Sequence, residues 1–115
     1  MKKTLFAALF LILSLGVFAQ QIESGVFDVN SNTKGYSLDK NSGDRIFTLE
    51  VRFNKPFETI PNVTVGLNKM EFDKNTNARV DVQATAVSRD GFVLRIKTWG
   101  DSRVLVLGGS WVAHN

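Results

Sequence analysis

The chain has 115 residues, no cysteine, one histidine and two prolines. Without cysteine it can form no disulfide and has no thiol nucleophile or thiolate zinc ligand. Its single histidine, His114, stands next to the C-terminus, where chains fray, which is a poor place for a general base. Nucleophilic triads and zinc centres therefore have almost no material. The eleven acidic residues fall in no recognisable acid–base or metal-ligating arrangement. The residues thus suggest neither an enzyme nor a cofactor or metal.

Charge of one sign is also scarce. The formal charge of +3 includes Lys2 and Lys3, and the rest of the chain carries only +1 once these two are taken away. So small an excess gives no ground for nucleic acid as a partner. The only long apolar run is Leu5–Phe18, which follows that lysine pair and ends at Val17-Phe18-Ala19. A basic n-region, a short h-region and a small residue at the cut read as a cleavable signal peptide over residues 1–19. A secreted or periplasmic protein that inserts in no membrane is expected, with residues 20–115 as one domain.

What is present is alternation. Strands are expected at 25–29, 46–53, 62–69, 79–88, 91–99 and 103–113, separated by turn-rich segments such as NSNTKG, DKNSGD and DKNTNA. Six short alternating strands without a helix point to an all-β fold, a six-stranded antiparallel β-sandwich. Two loop motifs have plain explanations. DVNSNTKGYSLD (28–39) spaces Asp28, Asn30, Asn32 and Asp39 like a calcium loop, but Thr33 stands where that loop needs glycine. Asn62-Val63-Thr64 has the form of a glycosylation sequon, which carries no weight beside a signal peptide of bacterial appearance.

The strands 79–88 and 91–99 define the candidate site. If Arg89-Asp90-Gly91 is a three-residue hairpin loop with glycine in the left-handed position, Ser88 pairs with Phe92 and paired numbers sum to 180. Arg79 then faces Asp101, with Trp99 as its diagonal neighbour on the face turned away from Val80, Val82 and Leu94. Trp111, inside the last strand, reads as core or subunit interface. An exposed indole offers a flat apolar face to the C–H side of a sugar ring. Arg79 and a carboxylate such as Asp44 can fix the neighbouring hydroxyls by charge-assisted hydrogen bonds. A surface ion pair beside a partly exposed tryptophan is the other account of the same residues.

The strings F-x-K-P-F-x-x-x-P-x-V-x-V (53–65), R-V-x-V-x-A (79–84), G-F-x-L-x-I-x-T-W (91–99) and S-W-V-A (110–113) stand in an order and spacing that resembles the H-type lectin domain of snail agglutinins and slime-mould discoidins. The resemblance spans about residues 22–113. It implies a six-stranded sandwich that assembles as a homotrimer and binds glycans of the galactose or N-acetylgalactosamine type in a shallow site. On the matching positions it implies that Arg79 and Trp99 contact the sugar, that Asp44 completes the grip on its hydroxyls, and that Gly43 adds backbone contacts. Gly100 stands where the snail lectins carry a histidine that holds the acetamido group. That difference opens an alternative, a structural or protein-interaction sandwich that has lost sugar binding.

Overall fold

The alternating segments form strands that pair antiparallel into two three-stranded sheets. The computed structural model describes residues 20–115, so the signal-peptide reading of residues 1–19 lies outside the described residues. The strands are β1 (Ile22–Asn30), β2 (Arg45–Arg52), β3 (Asn62–Phe72), β4 (Asp81–Thr85), β5 (Gly91–Thr98) and β6 (Val104–His114). One sheet runs β1-β6-β3 and the other β2-β5-β4. Every neighbouring pair is antiparallel. The expected all-β, six-stranded antiparallel sandwich is what the chain forms.

The period of two decides which side chains meet between the sheets. On β5 the even-numbered residues Phe92, Leu94, Ile96 and Thr98 are buried, and Val93, Arg95 and Lys97 are not. Facing them, β1 contributes Phe27 and Val29, and β6 contributes Leu107, Trp111 and Ala113. The indole of Trp111 lies 5.8 Å from the ring of Phe53 and 5.3 Å from that of Phe92, edge-on to the latter. Phe53 meets Phe57 edge-on at 5.0 Å. Such pairs add about 0.5–1.5 kcal/mol each beyond the area they bury. Trp111 is a core residue.

The hairpin between β4 and β5 departs from expectation. Its paired numbers sum to 178, from Asp81↔Lys97 to Thr85↔Val93, and not to 180. The turn is tighter than a three-residue loop, because the Ser88 N–H donates to the Gly91 carbonyl at 2.8 Å. Between those two points Ala86 and Val87 face Phe92 alone, which makes a β-bulge, and Ala86 takes the left-handed φ of 50°. Gly91 itself is not left-handed. Glycine is needed there for another reason: a Cβ would lie 2.1 Å from the Val51 carbonyl oxygen of the neighbouring strand. Because the slip is by an even number, the apolar faces still meet. What changes is the partner of each residue at the far end of the hairpin.

Candidate functional site

At that far end two registers converge on Trp99. The β2–β5 pairs sum to 143, ending at Arg45↔Thr98. One step further places Asp44 beside Trp99. The Gly43 N–H supports this continuation, donating to the Gly100 carbonyl at 2.9 Å. The β4–β5 sum of 178, carried two residues past Asp81↔Lys97, places Arg79 on the other side of Trp99. Here the Thr98 hydroxyl closes the gap, donating to the Arg79 carbonyl at 2.6 Å. Arg45 and Thr98 point inward and are buried, so the next row, Asp44–Trp99–Arg79, points outward. Arg79 is thus in register with Trp99 and not with Asp101, as the sum of 180 required.

Trp99 is 38% exposed, against 7% for Trp111. Among the described residues its ring stacks on no other aromatic. The Arg79 side chain turns toward the chain reversal that follows. Its Nη1 donates to Asp101 Oδ1 at 2.6 Å and to the buried Ser102 Oγ at 3.4 Å. Its Nη2 and Nε have no hydrogen-bond partner among the described residues, and its side chain stays one-third exposed. Those donors remain available to a ligand. Asp44 pairs with Lys97 at 3.4 Å while keeping most of its surface in water, an arrangement that contributes little to stability and leaves the carboxylate accessible.

Three neighbours were not legible as site residues. Asp101 holds Arg79 and also accepts from the Asn77 amide at 3.2 Å. These two hydrogen bonds, Arg79 first, hold its carboxyl below the ordinary value of 3.8. Arg45 is the third, with 7% exposure. Its guanidinium donates to the carbonyls of Gly43 (3.0 Å), Lys40 (2.7 Å) and Gly100 (3.1 Å), tying the loop before β2 to the turn after Trp99. A signal for it existed: Arg45 falls in phase with Phe47, Leu49 and Val51, and a charge on the apolar face of a strand has to find buried partners.

Gly100 and Gly43 have φ of 68° and 79°, the left-handed region that disfavours any side chain. Around Gly43 there is open space, whereas a Cβ on Gly100 would lie 2.8 Å from Arg79 Nη1. The five candidate residues, Gly43, Asp44, Arg79, Trp99 and Gly100, therefore gather at one end of the β2-β5-β4 sheet. No group of three or more metal-ligating carboxylate or imidazole side chains occurs among the described residues.

Comparison with known proteins bears on the family and the fold. Residues 48–114 match the family model of the H-type lectin domain. That span includes Arg79, Trp99 and Gly100 and leaves Gly43 and Asp44 just outside. The chain is 40% identical over 79 residues to the product named ATP synthase subunits region ORF 7 of Fuscovulum blasticum, covering 69% of each chain. It is 26% identical over 100 residues to a discoidin-1 polypeptide of Dictyostelium discoideum, covering 84% of this chain and 40% of that one. The structure of wild-type discoidin II from the same organism superimposes with a TM-score of 0.74 at 24% identity, over 84% of this chain and 37% of that chain. The chain thus spans about two-fifths of the discoidins' length.

Proposed function

The chain belongs to the H-type lectin domain family, and on that basis we propose that it is an exported lectin that binds glycans ending in galactose or N-acetylgalactosamine and cleaves nothing. The observation that carries this reading is the outward row Asp44–Trp99–Arg79. A half-exposed indole lies between an accessible carboxylate and a guanidinium with unused donors. A sugar ring needs those three things: an apolar face to stack on, an acceptor for hydroxyl protons, and donors for hydroxyl oxygens.

Assembly as a homotrimer belongs to the same proposal. The outer face of the β1-β6-β3 sheet supports it, since Ile22, Val26 and Val112 are 61%, 82% and 40% exposed there. Around them the face carries small or weakly polar residues, Ser24, Ser110, Thr64 and Gly66, with the exposed Asp28–Lys69 ion pair at one end. An apolar face of this kind on an isolated chain is suited to burial against copies of itself. Three weak sites on one rigid assembly raise avidity by about 10²–10⁴ on a dense glycan surface.

The direct test is retention of residues 20–115 on galactosyl- and N-acetylgalactosaminyl-agarose, with elution by the free sugar and mass measurement of the eluted species. Retention reversed by free sugar from a particle of three chains supports the proposal. Flow-through of a folded protein on both matrices contradicts it.

A further inference from the structure

Beside the Trp99 row lies a second feature that a single sugar does not use. A groove of about 390 Å³ opens between the loop before β2, the loop after β3 and the turn before β6, among Asn41, Ser42, Asp73, Asn75, Asp101 and Arg103. It adjoins the site through two residues. Asp101 lines the groove and grips Arg79. Ser42 lines it and precedes Gly43, whose N–H is bonded to the residue after Trp99.

Resting on the lectin reading above, we infer that this groove is an extended subsite for a neutral oligosaccharide, so that the ligand is a chain of two or more sugars with its terminal ring on Trp99. Three properties point that way. First, the lining contains no apolar side chain, whereas sites for ordinary small organic ligands are lined mostly by apolar groups. Second, hydrogen-bonding capacity is left over. The side chains of Asn41, Ser42, Asn75 and Arg103 have no hydrogen-bond partner among the described residues, although the main chain around them is committed.

Third, the frame is held. Asp73 N–H donates to the Arg103 carbonyl at 3.0 Å, Thr76 N–H to the Asp73 carbonyl at 3.1 Å, and Arg103 N–H to the Thr76 hydroxyl at 3.3 Å. A held rim lowers the ordering cost of binding a flexible chain. The charges also select a ligand class. Asp101 is matched by Arg79, and the groove's remaining acid, Asp73, shares it with Arg103, so an anionic substituent meets as much repulsion as attraction. A neutral polyhydroxyl chain uses the amides, the hydroxyl and both charged groups as donors and acceptors.

The test is calorimetric titration of the full domain with galactose, N-acetylgalactosamine, and neutral di- and trisaccharides ending in each. The longer sugars should bind about tenfold tighter than the monosaccharides, the worth of one or two added hydrogen bonds. Ser42→Tyr, which fills the groove, and Arg103→Ala, which removes a side chain free of internal partners, should each abolish that gain and leave monosaccharide affinity within about twofold. Two variants on different segments guard against either one disturbing the fold. Equal affinity for short and long sugars overturns the subsite while leaving the lectin intact. So does a gain that survives both substitutions. No binding of any sugar by the wild-type domain overturns the lectin reading and the subsite with it.

Discussion

The guanidinium of Arg79 occupies the space a side chain at Gly100 would need, its Nη1 lying 2.8 Å from the position of a Cβ there. From that seat Arg79 reaches across to Asp101 at 2.6 Å. Gly100 is thus what allows the arginine to lie flat against the turn that follows Trp99. A side chain at residue 100, such as the histidine that the resemblance to snail lectins puts there, would have to push the end of Arg79 out of this place.

Gly100→Ala is expected to act twice. A left-handed backbone with a Cβ costs about 1 kcal/mol, which in a domain of this size lowers the melting temperature by about 4–8 °C. The displaced Arg79 loses its contact with Asp101, and glycan affinity falls about tenfold or more. Calorimetry and sugar titration on the same sample separate the two effects.

Arg45 should prove more important to stability than any exposed site residue. Its removal leaves the part-buried carbonyls of Lys40, Gly43 and Gly100 short of a charged donor and opens a gap where the buried side chain lay. Arg45→Ala should destabilise by about 3 kcal/mol. Arg45→Lys should recover little of that, because one ammonium cannot reproduce the planar fork. Urea unfolding of the three proteins measures the difference.

The two tryptophans are expected to respond oppositely. Trp111→Ala opens a cavity against Phe53 and Phe92 and should cost about 3–5 kcal/mol. Trp99→Ala removes a half-exposed ring with no aromatic partner and should cost about 1 kcal/mol or less. Equal losses in denaturant unfolding would mean that Trp99 serves the core.

The Asp101 carboxyl should titrate below its ordinary 3.8, chiefly through the hydrogen bond from Arg79 and next through Asn77. A group whose folded pKa is lowered stabilises the fold above its unfolded value. It loses that contribution as pH falls through the lowered one. The Arg79–Asp101 contact should therefore be intact at neutral and mildly acidic pH and break only below the usual carboxylate range. Carbon NMR of the Asp101 carboxyl should show the depressed midpoint, and Arg79→Ala should move it back up toward 3.8.

The fold was readable because period-two alternation is strong in five of the six strands; Phe47, Leu49, Val51 and Phe92, Leu94, Ile96 left little choice of face. The hairpin register was not readable, because it depends on a bulge at Ala86. Nothing in the string ATAVSRDG announces a left-handed alanine. That same slip changed the backbone partner of Arg79 from Asp101 to Trp99, although its side chain still reaches Asp101. Arg45 went unread because its pattern signal is one residue. Asn77, Ser102 and the groove around Ser42 and Arg103 are assembled by three separate loops. Only the folded chain brings them together.

The measurement that bears most directly on function is a glycan array of residues 20–115 run beside Trp99→Ala, with both proteins shown to be folded. If Trp99 is the platform between Asp44 and Arg79, the wild-type domain lights glycans ending in galactose or N-acetylgalactosamine and the variant leaves them dark. An unchanged pattern in the variant, or a blank array from the folded wild-type domain, contradicts a sugar site at Trp99.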